Sequence, residues 1–313
     1  MSYYNINIYF NNRRKTNEKR KNYHRFLCNL TAEQLSKYNI DYAKMSTVYE
    51  GKETPAKLTW TPDEAHELYN IMRDGNRITT AQVSVEEFQR VFEEYLKQDM
   101  DIVYIGCSSK QSGSVNTGFV TAKKLMEKYE GSTIICIDSL NASMGEGMLA
   151  IEAAKLANDG ASATEIEAHI LAIRKKVNQY VTVHSLDALK RAGRVKGSAA
   201  FFGNLMGVKP IIIADANGDQ AAYKKVKGRQ KSFEEIVALL KASMIKPEKQ
   251  VVYLTHADCA KEEIDGLVAL IKQEIPCLDV EVGFIGPIIG ASIGPDAVGI
   301  WGFGQEVTYK IGD

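Results

Sequence analysis

The sequence predicts an α/β protein of two domains: an N-terminal parallel sheet flanked by helices, and a C-terminal α+β domain with a mainly antiparallel sheet. Two observations carry that expectation. From Asp101 onward, apolar runs of strand length alternate with helical patterns, which places helices on the faces of a parallel sheet. Beyond residue 163 strand-like runs outnumber helices, and Asn217-Gly218 marks a hairpin between two of them. The 313 residues suffice for two domains, and 45% hydrophobic with 25% charged residues is a globular composition.

Taken in order, Thr31–Tyr38 reads as a short helix behind a threonine cap, and Val85–Gln98 as a longer one behind Ser84. Asp101–Cys107 reads as a strand, Thr117–Tyr129 as a helix, Thr133–Ile137 as a strand and Gly147–Asn158 as a helix. Ala163–Asn178 is a periodic helix in which Thr164 and Glu167 have capping-box spacing. Tyr180–His184, Lys209–Ala214, Tyr223–Val226, Gln250–His256 and Leu278–Phe284 then read as strands. Phe233–Ile245 and Lys261–Glu274 read as the helices between them. The chain divides into an extension at 1–27, an α/β domain at 28–163 and an α+β domain at 164–313.

Composition removes several classes of function. Lys+Arg and Asp+Glu are both 39, so no global charge favours nucleic acid. The five cysteines are odd in number, scattered and without a Cys-x-x-Cys, which fits a reducing cytoplasm and neither a disulfide frame nor a zinc site. The five histidines show no metal-ligand spacing, so neither metal nor cofactor is expected. No apolar run reaches membrane-spanning length, and the polar, basic N-terminus is no secretory signal.

Residues 105–114 read Ile-Gly-Cys-Ser-Ser-Lys-Gln-Ser-Gly-Ser, between a strand and a helix. Unpaired N–H groups and the helix dipole make such a turn a place for an anion. Ser112 and Ser114 add hydroxyl donors beside Gly113, which lets a ligand approach closely. The turn lacks the Gly-x-x-x-x-Gly-Lys-Ser/Thr of a phosphate loop, so a carboxylate is at least as fitting a guest. Taken alone, it reads more simply as an ordinary helix cap.

An ordered set of motifs resembles the DegV family, over roughly residues 30–313. Ser108-Ser109-Lys110-Gln111-Ser112-Gly113-Ser114 resembles its Ser-Ser-x-x-Ser-Gly-Thr turn. Asp138-Ser139, with Ser143, Gly145 and Gly147, resembles its Asp-Ser-x-x-x-Ser-x-Gly-x-Gly segment. Ser185-Leu186 through Ala192-Gly193-Arg194 resembles Ser-Leu-x-x-Leu-x-x-Gly-Gly-Arg. Val208-Lys209-Pro210, Gly218 and Gly294-Pro295 follow in order. The characterised members are fatty-acid-binding subunits of bacterial fatty acid kinase. The resemblance implies a non-enzymatic carrier that holds a long-chain fatty acid between its domains and presents it to the kinase catalytic subunit. It implies carboxylate binding by Ser112, Gly113 and Thr80, with Ser292 near the head group. Ser108, Ser114, Asp138 and Ser139 would border the cleft. Arg194, Lys227 and Arg229 would meet a phosphate, the kinase or, transiently, a membrane surface. A surface cap at Arg194 and a solvated face for the basic run at 224–231 are the plainer readings. His184 reads as a structural histidine, and Trp60 and Trp301 read as core or cleft packing.

Some positions depart from the pattern. Ser292 stands where the family has a histidine two residues before Gly-Pro, and Ala81 and Val83 replace a serine and a proline after Thr80. A binder of lipids or small acids outside the kinase pathway therefore stays open. Gly290-Ala291-Ser292-Ile293-Gly294 matches the nucleophile elbow of serine hydrolases, but no histidine follows it and Pro295 intrudes. A hydrolase using Ser112 or Ser292 is the competing enzymatic reading.

Family members begin with a strand ending in Thr-Asp-Ser, which is missing here. Residues 13–25 instead hold seven Lys/Arg against one Glu. Permitted codons for residues 12–26 can contain AGGAGG, a ribosome-binding sequence. Shifted by one base within Asn17, the same codons read Met-Lys-Lys-Glu-Lys-Ile-Ile-Thr-Asp-Ser. Residues 1–27 are thus read as a translated leader and an out-of-frame first strand. A disordered basic arm is the alternative, as such or as a contact for nucleic acid or anionic lipid.

Overall fold

The computed structural model describes residues 23–26, 30–197, 201 and 207–311. In chain order its elements are β1 (Tyr23–Phe26), α1 (Ala32–Tyr38), β2 (Ile40–Asp41), β3 (Ser46–Tyr49), β4 (Lys52–Pro55), α2 (Pro62–Arg73), β5 (Thr79–Ala81) and α3 (Val85–Leu96). There follow β6 (Ile102–Gly106), α4 (Ser114–Lys128), β7 (Ile134–Asp138), α5 (Met144–Asn158), α6 (Ala163–Ile173), β8 (Val177–Thr182), α7 (Asp187–Ala192) and β9 (Val195–Lys196). The chain then forms β10 (Val208–Ala214), β11 (Gln220–Lys227), α8 (Arg229–Ser243), β12 (Val251–His256), α9 (Lys261–Glu274), β13 (Asp279–Phe284), α10 (Pro287–Ile293) and β14 (Val298–Phe303).

The first sheet is parallel, in the order β2-β1-β6-β7. Strand β6 is buried along its whole length, as a strand covered on both faces must be. Its residues alternate between two cores. Ile102 and Tyr104 pack with Phe88 and Phe92 of α3, while Val103 and Ile105 join Met148 and Ile151 of α5. Of the stretch read as an extension, Tyr23–Phe26 forms β1, between β2 and β6. That is where a shifted frame would encode the first strand; residues 1–22 and Leu27 lie outside the described residues.

The second sheet runs β13-β12-β14-β8-β10-β11-β9. It is mainly antiparallel, with parallel pairs only at β12–β13 and β9–β11. Helices α8 and α9 cover one face, where Phe233, Ile236 and Ile271 meet Ile211 and Ile300. The opposite face presents Val181, Ile212 and Trp301 to the core shared with α5. A third, small antiparallel sheet, β4-β3-β5, packs against α10.

Three local readings need correction. The helix read over 163–178 ends at Ile173; a tight turn at Arg174–Lys176 leads straight into β8. Its capping box is formed by Ser162 and Glu165, two residues earlier than Thr164 and Glu167. Its buried face, Ala163, Ile166 and Ile170, packs on α5 and the parallel sheet. Strand β14 went unread, although it lies at the centre of its sheet. Gly299 and Gly302 dilute its apolar pattern, and Gly299 is required because a Cβ there would collide with the Trp301 ring. Helix α2 also went unread, despite the capping box of Thr61 and Glu64 and Pro62 at its start.

Candidate functional site

The turn between β6 and α4 is the foundation of the site. Gly106 ends the strand where a Cβ would lie 2.9 Å from Val115 Cβ, so α4 can press against the sheet. The Ser108 carbonyl accepts the Gln111 and Ser112 N–H groups at 2.8 and 3.1 Å, closing the turn on itself. Ser112 Oγ lies 2.9 Å from Ser114 Oγ, and Ser114 Oγ accepts the Val83 N–H at 3.2 Å. Ser114 is thus a buried link to the segment after β5, and Ser112 is left facing the cavity with Gly113.

That cavity has a volume of about 250 Å³. Its walls come from the turn, from β5, from α10 and from the inner face of the second sheet. Thr80, Ser112, Gly113 and Ser292 all line it, although 212 residues separate the first from the last. Met45, Leu58, Val181, Ile212 and Ile289 make much of the remainder apolar. Helix α10 is set in place by α2: Tyr69 Oη donates to the Ile285 carbonyl at 2.7 Å, and Gly290 leaves room for that ring. Arg73 completes the attachment through Asp258 and Asp296, at 2.6 and 2.7 Å.

Across the inner face of the second sheet runs a row of polar groups that sequence reasoning missed. Trp301 Nε1 donates to Gln179 Oε1 at 3.3 Å, and Gln179 Nε2 donates to Gln220 Oε1. All three residues line the cavity, so Trp301 is a wall as well as core. Gln111 joins the row to the turn: with its amide turned so that both atoms find partners, it donates to the Arg194 carbonyl at 3.0 Å and accepts the Gln220 N–H at 3.2 Å. No spacing rule links these four positions, because Gln111 comes from the turn after β6 and the other three from β8, β11 and β14, which are far apart in the chain.

The residues expected to border the cleft are framework instead. Ser108 Oγ is buried and donates to the Gly218 carbonyl at 2.7 Å, tying the turn to the β10–β11 hairpin. Asp138 accepts the Leu140 N–H at 3.0 Å, and Ser139 Oγ exchanges hydrogen bonds with the Asn141 backbone at 3.0 Å. Neither Ser108, Ser114, Asp138 nor Ser139 lines the cavity. Arg194 does. Lys227 and Arg229 do not. Arg229 is engaged by Glu263 at 2.8 Å and stacks over Phe233. Burial raises the Glu263 carboxyl, but the Arg229 guanidinium outweighs it and holds the carboxyl below its ordinary value.

The nucleophiles are poorly prepared. Cys107 lines the cavity, but burial, followed by the nearby Glu146 and Asp138, pushes its thiol well up and keeps it protonated. Ser292 sits within α10, not at the strand-to-helix turn an elbow requires. His66, the histidine on α2, is turned to Asp258 at 2.8 Å. Among the described residues no group of three or more His, Cys, Asp or Glu could hold a metal ion. No helix among them is long and apolar enough to cross a membrane.

The fold and this geometry agree with what the chain is similar to. The model of an uncharacterised family, DegV, matches residues 27–303. A DegV domain-containing protein of Clostridium perfringens is 34% identical over 238 residues, 76% of this chain and 81% of its own length. A DegV lipid-binding protein from Thermotoga maritima superposes with a TM-score of 0.79 at 24% identity, over 92% of this chain and all of its own. A stearic acid-binding protein from Eubacterium ventriosum gives 0.79 at 23% identity, over 90% of this chain and 97% of its own. A DegV family protein from Thermus thermophilus, described as fatty-acid-binding, gives 0.79 at 22%, over 91% of this chain and all of its own. With one family model spanning most of the chain and the same fold recurring in these structures, the chain belongs to the DegV family.

Proposed function

We propose that this protein binds a long-chain fatty acid in this cavity and presents its carboxylate to a separate kinase, which forms the acyl phosphate. One observation carries the reading: Thr80, Ser112, Gly113 and Ser292 converge on one apolar cavity from three distant parts of the chain. Neutral hydroxyl donors hold a carboxylate without locking it into a tight ion pair, so it stays available to react. The acyl chain supplies most of the affinity, at roughly 0.8 kcal/mol per buried CH₂. The fatty acids named for the similar structures support this ligand class. The protein is then a cytoplasmic carrier whose only bound small molecule is its lipid. Arg194, exposed at the cavity edge, and Lys227 on the exposed end of β11 suit contact with the kinase or a membrane surface.

Protein purified from a bacterial host and extracted into solvent should yield about one long-chain fatty acid per chain, as this cavity and its apolar walls imply. No lipid by mass spectrometry would overturn the reading. Stoichiometric labelling of Ser112 or Ser292 by a fluorophosphonate would replace it with a hydrolase. Ser292, in place of the family histidine, favours one further alternative, a lipid or small-acid binder outside the kinase pathway. Ser292→His should raise acyl-phosphate formation by a DegV-type kinase if the lost histidine is a defect.

For the N-terminus we keep the frame-shifted leader as a proposal. The family model begins to match at residue 27, next to the point where the frame would be restored. The nucleotides at codons 12–26 decide it: a codon set that cannot be shifted into Ile-Ile-Thr-Asp-Ser removes the idea.

A further inference from the structure

The polar row on the inner face of the second sheet has one end without a partner. An indole N–H can only donate, so Gln179 must turn Oε1 toward Trp301 Nε1. Gln179 Nε2 then donates to Gln220 Oε1, which leaves Gln220 Nε2 as the free end. Neither amide can be reversed without setting donor against donor. Gln220 is 9% exposed and lines the cavity, and its Nε2 makes no hydrogen bond among the described residues. Tyr104, Thr182 and Thr255 also hold hydroxyls without a partner among them, but none of the three lines the cavity. Glu146, wholly buried on the first turn of α5, is a further polar group in its wall.

A plain hydrocarbon chain cannot answer that donor, and an amide N–H shut away from water without an acceptor is unfavourable. A ligand oxygen would answer it. Its place along the ligand follows from the sheet. Gln220 pairs with Val195 on the edge strand β9, whereas Gln179 and Trp301 face each other on β8 and β14, further in. The Gln220 backbone N–H reaches Gln111, the residue before Ser112 in the turn. The open donor is thus at the end of the row nearer Ser112. We propose that the cavity selects a fatty acid with a hydroxyl or oxo group on the half of its chain nearer the carboxylate, Gln220 Nε2 donating to that oxygen. This rests on the fatty-acid reading above. Both substituents accept from an amide N–H; a hydroxyl can also donate, and an oxo group cannot.

The test uses the full chain, stripped of lipid, with palmitate, 3-hydroxypalmitate, 7-hydroxypalmitate, 7-oxopalmitate and 16-hydroxypalmitate as probes. The wild type should bind at least one of the acids substituted at carbon 3 or 7 about tenfold or more tighter than palmitate, and 16-hydroxypalmitate no tighter than palmitate. The ratio of the two affinities within one protein is the readout, so a variant that folds less well is still informative. Gln220→Met, which keeps the shape and removes the donor, should bring that ratio to about one. Gln220→Glu keeps an oxygen for Gln179 and puts an acceptor where Nε2 was, so it should lose the preference for the oxo acid in particular. Palmitate bound as tightly as every substituted acid overturns the inference and leaves the fatty-acid reading standing. A preference for 16-hydroxypalmitate alone, or one that survives Gln220→Met, overturns the role of Gln220. Failure of the wild type to bind any of the acids overturns the fatty-acid reading and the inference with it.

Discussion

The turn after β6 and the turn after β7 are built from similar material. Each is serine-rich, and each leads from a parallel strand into a fifteen-residue helix, α4 or α5. Yet the first gives the cavity Gln111, Ser112 and Gly113, while the second gives it only Ala142 and Ser143. The second turn closes on itself through Asp138, Ser139 and Asn141, and Asn141 also donates to the Arg174 carbonyl at 2.9 Å. These bonds hold Leu140 and Ser143 at φ of 56° and 58°, which residues with a Cβ adopt only under constraint. In the first turn Ser108 reaches the opposite hairpin, while the Ser112 hydroxyl, among the described residues, bonds only to Ser114 beside it and still lines the cavity. A serine-rich turn can offer a hydroxyl to a cavity when another residue takes over the work of holding its shape.

The comparison breaks most visibly at Gly218, where the two turns meet. Gly218 has φ of +86°, and a Cβ there would collide with Ser108 Oγ and lie 3.1 Å from Leu140 Cα. Gly218→Ala should cost roughly 3 kcal/mol of stability, combining left-handed strain with a backbone clash. Urea unfolding reads this directly, and an unchanged midpoint would mean the hairpin does not brace the turns.

Ser112→Ala and Thr80→Val should each weaken palmitate binding by about ten- to a hundredfold, since each removes a hydrogen bond to a charged acceptor worth about 1.5–3 kcal/mol. Their melting temperatures should change little. Competition against a fluorescent fatty acid gives the affinities. If Ser112→Ala leaves them unchanged, the carboxylate lies elsewhere.

Ser139→Ala should do the reverse. It strands the buried Asn141 N–H and should cost about 1–2 kcal/mol of stability, with palmitate affinity preserved in the folded protein. Loss of affinity at unchanged stability would make the second turn a binding element after all.

The smallest effect concerns pH and neither turn. His256, packed at 4.7 Å against Phe284, accepts the Cys259 N–H through Nδ1. Burial holds its imidazole below the ordinary value of 6.5. Below that value the unfolded chain takes up a proton that the folded chain resists, so stability falls as pH drops from 7 toward 5. His256→Leu should flatten that part of a melting-temperature profile. An identical slope in the variant would assign the response to carboxylates alone.

What was legible in the sequence was local. The β6-turn-α4 unit follows from an apolar run, small residues and a helical period within one continuous stretch, and the N-caps at Thr31 and Ser84 from the residues that make them. Ser112 and Thr80 were legible only through the family motifs, and the structure brings both to one cavity. Helix α2 had a legible capping box at Thr61-Pro62-Asp63-Glu64 that went unused.

The rest depended on distance along the chain. Strand β14 carries Gly299 because Trp301 folds back over it, and no period of 2 or 3.6 reports a side chain packing on its own strand. Ser108 and Ser112 are the same residue type four positions apart. Only the arrival of Gly218 from the second sheet makes one a tether and leaves the other for the cavity. Gln179 and Gln220 look like ordinary strand polar residues in sequence, and it is the arrival of β8 and β11 on either side of β10 that sets them in one row on the cavity wall. Backbone propensity acts over a few residues and is written in neighbouring letters. Ligand sites are made by side chains that share space, and which side chains share it is settled only when the sheets pack.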